Sequence, residues 1–462
     1  MRETKLARLL EGARVTYINN KNEFKAQLVS SISTDTRSFK KGELFIALRG
    51  DRYDGHSFIA DALKNEASCV IFESGKIDDL NQFLAEYPEL LFVGVKDSRK
   101  VLGKIAKRYL EDFSVKKIAI TGSAGKTTTK QLITSIIAGR FNVVSSAGSF
   151  NNDIGVLKTV LDVDEETDFL VQELGTNHPG EIAYLSEIVR QNFTLITNIG
   201  PAHIGFFNSE EKIAREKKQA IEVLDSKGTV FLNAEDKYFE YLKSGIKADV
   251  RSFGLRKGDL FPERILKAGL DGSEFILAGE TIRAKVFGEH GILNAVAAAL
   301  LGLYFGLTIV EIKRGIESCT GLAGRGCVYN LDDFTVIDES YNANPLSVFA
   351  SIKFIDSIPA SGRKILVLGD MLELGAKSGC YHRLVGERIV ESGIAALFAY
   401  GMEIAATVSA CKNAGFNNVS HFTDLDDLVA GLKKGARKGD LIMVKGSRAM
   451  NLERVVKELT GA

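Results

Sequence analysis

The stretch KKIAITGSAGKTTTKQLITSIIAG constrains this chain more than any other, because a β-type run, KKIAI, turns through two glycines straight into a helix-compatible segment. A helix that starts at the end of a strand presents its first N–H groups, and the positive end of its dipole, to whatever occupies the turn. Gly122 and Gly125 allow close backbone approach, with Ser123 and Ala124 between them. Lys126 can reach outer phosphates, Thr127 can offer a hydroxyl to Mg²⁺, and Thr128 follows on the first helical turn. The order strand, glycine turn, Lys-Thr and helix predicts a nucleoside triphosphate site; the competing reading is a plain strand-to-helix turn. The familiar pattern has another glycine six residues before the lysine, and Ile120 stands there, so the loop is short.

The same alternation organises most of the chain. The runs KKIAIT, NVVSS, DFLVQEL, FTLITNI and GTVFLN, separated by helical stretches between about 96 and 319, predict a mostly parallel nucleotide-binding sheet. Before residue 95 the apolar runs are short and broken by polar turns (ELFIAL, SCVIF, LLFVGV), as in a small mixed α/β domain. After residue 320 the alternation restarts with FTVID, KILVLGD, AALFAYG and DLIMVKG, which predicts a second, doubly wound domain. The expected division is therefore 1–95, 96–319 and 320–462, a number of domains that 462 residues can support.

Composition removes some classes of function. Lys plus Arg equals Asp plus Glu at 59 each, so no global field attracts nucleic acid or anionic lipid. Cys69, Cys319, Cys327, Cys380 and Cys411 are odd in number and lack metal-ligand spacing, and no signal-peptide core opens the chain. Reduced thiols and a cytoplasmic location are expected. The apolar stretch Ile292–Val310 mimics a membrane span, but Gly306 is a helix stop, and Thr308 with Glu311 forms a capping box for a new helix. A buried core helix is predicted instead, without membrane insertion.

Several polar residues stand where a strand or helix pattern leaves little room for them. Glu173 ends an apolar strand, where a carboxylate either faces solvent or points into the ligand crevice and offers oxygen to Mg²⁺. Ser209 caps a helix with Glu210 and Glu211 in its first turn, and Lys217 falls within its apolar stripe of Ile213, Ala220, Ile221 and Leu224. Lys217 either snorkels to water or is turned inward for chemistry. His203, after the strand FTLITNI, reads as a structural histidine or as a residue of the ligand edge. Asn294, four residues after His290 in an apolar helix, needs a hydrogen-bonding neighbour or a ligand such as adenine. The cluster Asp338, Glu339, Ser340, Tyr341, Asn342 and Asn344 is a polar loop or a site at a strand's C-terminal end.

Taken in order, TGSAGKTTTK, SFNNDIGV, ELGTNHPGEIA, TNIGPAHI, HGILNAVAAA, GRG, VIDESYNANP, VLGDMLELG and VKGSRAMNLE resemble the Mur ligases of bacterial cell-wall synthesis, from about Ser33 to Glu453. YNANP, NHPGEIA and GDMLELG point to the branch that joins D-Ala-D-Ala to UDP-N-acetylmuramoyl-tripeptide. The resemblance implies three domains: a UDP-binding domain, a central ATPase domain with the shortened loop, and a Rossmann-like C-terminal domain. It implies ATP and Mg²⁺ as cofactors, an acyl-phosphate intermediate, and a catalytic set of Lys126, Glu173, His203 and Lys217. Thr127, Glu173, His203 and Lys217, the last as a carbamate, would hold metal. Asn294, Arg325 and Asp338 match nucleotide-embracing positions, and Tyr341, Asn342 and Lys445 match motifs on the C-terminal side of the cleft.

In STDTRSFKKGELFIALRGDRYDGH, which resembles the family's UDP-sugar-binding domain, Thr36, Arg37, Arg49 and Gly50 are candidates for the uridine diphosphate, with Asp54 and His56 nearby. Asn151 and Asn152 match a loop expected to touch the nucleotide sugar. The family often has Ser where Thr36 stands and proline where Leu157 stands. A monomer that closes around its substrates is expected. The rival readings are a family member that adds a single amino acid and an ATP-binding regulatory protein on the same fold.

Overall fold

Every apolar run named above becomes a strand in the computed structural model, which describes all residues except 51, 52, 322, 323 and 462. Parts of the RGDRYDGH and GLAGRG stretches therefore lie outside the described residues. The chain is a mixed α/β protein, and its Cα atoms group into two units.

The first unit comprises Met1–Ala119, Phe141–Gly175 and Ala183–Asn192. Its five-stranded sheet runs in the order Val15–Ile18, Leu91–Val95, Cys69–Glu73, Leu44–Ile46 and Ile32–Ser33, antiparallel at the first pairing and parallel thereafter. The central strands are buried on both faces, which is why they read as continuous apolar runs rather than alternating ones. Phe45, Phe72 and Phe92 fill one face against Ile59 and Leu63. The same unit holds the parallel pair Val143–Ser145 and Phe169–Glu173.

The second unit comprises Ile120–Arg140, Thr176–Ile182 and Phe193–Ala462. The strands Phe193–Ile196, Thr229–Asn233 and Asp249–Phe253 are parallel. The strand Lys116–Thr121 belongs to the first unit at its start, where the Lys116 N–H donates to the Asp168 carbonyl at 3.0 Å. At its end it belongs to the second, where the Thr121 carbonyl accepts the Thr197 N–H at 3.0 Å. The C-terminal sheet runs Cys327–Asn330, Thr335–Glu339, Leu441–Lys445, Lys364–Gly369, Ala396–Tyr400 and Val419–Phe422, parallel except at its first pairing. Its strand order reverses around Leu441–Lys445, and a doubly wound sheet opens its ligand crevice at such a point.

One element departs from the expected alternation. Arg264–Gly269, Gly272–Leu277 and Glu280–Ala284 form an antiparallel three-stranded sheet. Its turns use Gly272 and Gly279, both at positive φ, so Asp271-Gly272 was a hairpin signal. The apolar stretch behaves as expected: the helix Gly288–Tyr304 is buried, Gly306 has φ +80°, and Thr308 and Glu311 complete the capping box of Ile309–Ser318. No helix among the described residues is long and apolar enough to cross a membrane.

Candidate functional site

The strand Lys116–Thr121 delivers the chain into a loop whose two glycines have φ +149° at Gly122 and +79° at Gly125, conformations that L side chains rarely adopt. The helix Lys126–Ile137 begins immediately. A Cβ on Gly125 would stand 2.6 Å from Asn294 Oδ1, so the absent side chain is what lets the loop lie against the buried Asn294 amide. The loop is held by a segment that the residue-by-residue reading passed over. Thr197 Oγ1 donates to the Ala124 carbonyl at 2.6 Å, Asn198 Oδ1 accepts the Ala124 N–H at 2.9 Å, and Ser123 Oγ donates to the Gly200 carbonyl at 2.9 Å. Lys126 Nζ rests on the Gly122 carbonyl at 3.0 Å, and Thr127 is buried.

Beside this loop lies a cavity lined by Thr128, Gln131, His290, Asn294, Arg325 and Glu339. Arg325 stacks on Tyr341 with its guanidinium 3.9 Å from the ring centroid, and Arg448 lies 5.5 Å from the same centroid. Asp338, buried, turns its carboxylate back on the chain, accepting the Gly324 N–H at 3.1 Å and the Ser340 N–H at 3.0 Å. Amide, hydroxyl, guanidinium and carboxylate groups around a glycine-lined helix start suit a nucleotide.

At the C-terminal ends of two neighbouring strands, Lys445 Nζ meets Glu339 Oε2 at 3.2 Å and the Asn342 carbonyl at 3.2 Å, while Ser351 Oγ donates to the same carboxylate. Burial by itself would raise the Glu339 pKa; the charges of Lys445 and His290 and the Ser351 hydroxyl outweigh it, and the carboxyl sits below the usual range. In this conformation the ammonium of Lys445, a candidate for substrate contact, is engaged with these two partners, in a pair whose single-partner loss would leave a buried charge uncompensated.

His203 has a left-handed backbone, φ +57°, and heads the short helix Ile204–Phe207. Its Nδ1 hydrogen-bonds the Glu373 carboxylate, a partner 170 residues away that the residue reading did not single out. The His203 hydrogen bond first, then the His203 and His178 charges, hold the Glu373 carboxyl below the usual range against the opposing effect of burial. The loop bearing Glu373 is anchored behind: the Met371 N–H donates to His382 Nε2 at 3.1 Å and the Leu372 N–H to Ser447 Oγ at 2.8 Å.

His382 must be neutral to accept from Met371, and burial pushes its pKa below the ordinary 6.5. A histidine with a depressed native pKa takes its proton in the unfolded chain first, so the native state loses stability as pH falls through about 6.5. Urea unfolding at about pH 8 and pH 5.5 should therefore show wild type losing on the order of 1 kcal/mol more than His382→Gln over that interval. Equal losses would remove the assignment.

Ser209 caps the helix Glu210–Glu222 by accepting the Lys212 N–H at 3.3 Å. Lys217 is 3% exposed on a stripe with the buried Ile213, Ala214, Ala220 and Ile221. The same periodicity places Glu216 inside, also 3% exposed, where it accepts the Gly180 N–H at 2.8 Å and the Ile182 N–H at 2.9 Å, and so holds the NHPGEI turn.

In the first unit, Asn151 Nδ2 donates to Glu173 Oε1 at 2.9 Å, which brings two candidate residues together. A Cβ on Gly175 would meet Asn151 Cγ at 2.5 Å. Asn152 caps the helix Asp153–Val160 by accepting the Gly155 N–H at 2.9 Å. Thr36 opens the turn Thr36–Ser38, and the exposed Arg37 grips Asp35 through two side-chain nitrogens, pulling that carboxyl down to about 2. The backbones of Arg49 and Asp54 pair in an isolated antiparallel β-bridge, the Gly50 N–H donates to the Tyr53 carbonyl at 2.9 Å, and His56 Nδ1 lies 2.5 Å from Asp54 Oδ1. A second cavity is lined by Ser31, Ser145, Phe150, Lys158 and Asp162, and Lys158 Nζ lies 5.7 Å from the Phe150 ring centroid. Lys158, on the helix Asp153–Val160, is not among the site residues expected from the sequence.

No group of three His, Cys, Asp or Glu among the described residues is gathered to hold a metal ion. By donor chemistry the Thr127 hydroxyl and Glu173 carboxylate suit Mg²⁺, His203 keeps Nε2 available, and Lys217 as an ammonium is no donor.

Three stretches match known protein families: "Mur ligase family, catalytic domain" over residues 28–110, "Mur ligase middle domain" over 120–302, and "Mur ligase, glutamate ligase domain" over 324–448. The UDP-N-acetylmuramoyl-tripeptide–D-alanyl-D-alanine ligase of Bacillus subtilis is 32% identical over 443 residues, 95% of this chain and 94% of that protein. A crystal structure of MurF from Acinetobacter baumannii superposes with a TM-score of 0.89 at 27% identity, covering 100% of both chains. MurF ligase from Thermotoga maritima in complex with ADP gives a TM-score of 0.80 at 25% identity, over 93% of this chain and 97% of that one.

Proposed function

The chain belongs to the Mur ligase family, and from that premise we infer that it is an ATP-dependent, ADP-forming amide ligase joining D-Ala-D-Ala to UDP-N-acetylmuramoyl-tripeptide, which makes the UDP-pentapeptide precursor of peptidoglycan. The observation that carries this reading is the relative of that activity aligned over 95% of this chain and 94% of its own. In the reaction the tripeptide carboxylate attacks the γ-phosphate, ADP leaves, and the resulting acyl phosphate is opened by the D-Ala-D-Ala amine with release of phosphate. A carboxylate approaching a triphosphate is repelled, so the site's task is to hold both in line and to neutralise their charge.

Within that task we assign the glycine loop and Lys126 to the β- and γ-phosphates, and Asn294, Arg325 and Asp338 to the nucleoside. Mg²⁺ would take the Thr127 hydroxyl, the Glu173 carboxylate and the His203 imidazole as ligands, and would supply further positive charge. We assign Lys217 as a carbamate: addition of its neutral amine to CO₂, with loss of one proton, would replace a cation that repels Mg²⁺ by an anion with oxygen donors. Thr36, Arg37, Arg49, Gly50, Asn151 and Asn152 are assigned to the nucleotide sugar, with the cavity beside Lys158 as the space for an anionic group. Tyr341, Asn342 and Lys445 are assigned to the dipeptide side. We place domain boundaries near Val95 and Cys319, and the enzyme as a monomer in the cytoplasm, where ATP is made.

Incubation with ATP, Mg²⁺, UDP-N-acetylmuramoyl-tripeptide and D-Ala-D-Ala should yield ADP and the UDP-pentapeptide by mass spectrometry, with no product from single amino acids. Absence of both products would sink the reading.

A further inference from the structure

The contact between His203 and Glu373 is built with more care than a surface ion pair needs. Seven non-glycine residues among those described have positive φ, and two of them, His203 and Glu373, are the two residues in contact here. Such backbones persist only where the surroundings over-determine them. The main chains dock by themselves. The Gly205 N–H donates to the Glu373 carbonyl at 2.9 Å, and a Cβ on Gly205 would lie 2.7 Å from Gly375 N and 2.8 Å from Glu373 O. Behind the loop, Met371 and Leu374 are buried in the core that also takes Ile204 and Phe207, and His382 and Ser447 hold the amides of Met371 and Leu372.

Joining the two segments is thus accomplished by backbone and core, and the Glu373 carboxylate is left with a separate role. An ionised carboxylate only accepts hydrogen bonds, so the proton in its contact with His203 sits on Nδ1. We propose that Glu373 is a positioning residue of the ligase reaction, fixing the His203 imidazole in one orientation with the proton on Nδ1 and the lone pair on Nε2. A carboxylate behind a histidine orients the ring and raises the basicity of the far nitrogen, whether that nitrogen meets a metal ion or an acidic proton. Because Glu373 comes from the sheet domain that follows residue 320, the arrangement makes the ring on the ATPase side dependent on its neighbour. The catalytic consequence rests on the ligase reading; the orientation of the ring does not.

The test uses the full chain with ¹⁵N-labelled histidine, free of nucleotide and metal, with the His203 signals assigned by their loss in His203→Gln. At about pH 9, where an imidazole holds a single proton, wild type should show a protonated Nδ1 and a bare Nε2, and Glu373→Gln, whose amide can donate as well as accept, should show a mixture. In turnover, Glu373→Gln should lose roughly 10- to 100-fold in kcat with KM for ATP within about twofold, and Glu373→Asp should fall between it and wild type. Wild-type kcat in Glu373→Gln, or a reduced kcat with an unchanged His203 spectrum, would overturn the proposal. If wild type itself forms no ADP from the three substrates, the ligase reading fails, and the spectrum alone then decides whether Glu373 sets the ring.

Discussion

Lys126→Ala should lower kcat/KM by about three orders of magnitude, near 4 kcal/mol of transition-state stabilisation, while the thermal midpoint stays within about 2 °C of wild type. The two halves of that expectation have separate causes. Lys126 is half-buried rather than part of the core, with its ammonium 3.0 Å from Gly122 O of its own loop. The reaction asks a great deal, because an anionic carboxylate must reach a phosphorus surrounded by negative oxygens, and a cation fixed on the loop neutralises charge without reorganising. Lys126→Arg should not restore turnover. The loop is shaped by Gly122 and Gly125 with the Asn294 amide pressed against it, and a planar fork cannot replace a compact point charge there. ADP release followed by coupled assay, with nucleotide affinity measured separately, checks both variants. Turnover within tenfold of wild type for Lys126→Ala would show that the phosphates are held by the amides and the metal alone.

What could be read from the sequence was what is decided locally. The shortened loop, the Ser209 cap, the stop at Gly306 and the Thr308–Glu311 box each depend on residues within a few positions of one another, and each stands where the pattern put it. Asn294 was visible as an amide in an apolar helix, but its neighbour was not, because Gly125 comes to it only when the helix Gly288–Tyr304 packs against Lys126–Ile137. The partners of His203 and Lys445 were invisible for the same reason. Glu373 is 170 residues from one and Glu339 is 106 from the other, distances closed by sheet crossovers that no short-range periodicity encodes. Glu216 is a different kind of miss: the stripe that marked Lys217 marks it equally, and only the backbone amides of Gly180 and Ile182 explain an acid there.

Lys217→Ala should abolish turnover to a similar degree, about 10³-fold or more, and a short carboxylic acid at high concentration should restore part of it. At 3% exposure the Lys217 head does not reach bulk water, so its stem cannot be explained as cover for apolar surface with the ammonium outside. At a site that gathers Mg²⁺ an ammonium opposes the metal, whereas a carbamate on the same nitrogen would attract it and offer hard oxygen donors. Truncation to alanine would remove the proposed carbamate and leave a space of several side-chain atoms, into which formate or acetate could bring oxygens without the tether. Rescue should therefore rise with acid concentration and saturate, and it should be absent in Lys126→Ala, whose lost group is a cation. Carbon-13 NMR of wild type equilibrated with labelled bicarbonate should show one carbamate resonance that Lys217→Ala lacks. Full activity in the unrescued variant would refute the anionic role. An inactive variant that no acid rescues, with no carbamate signal in wild type, would make Lys217 a buried cation acting on substrate charge instead.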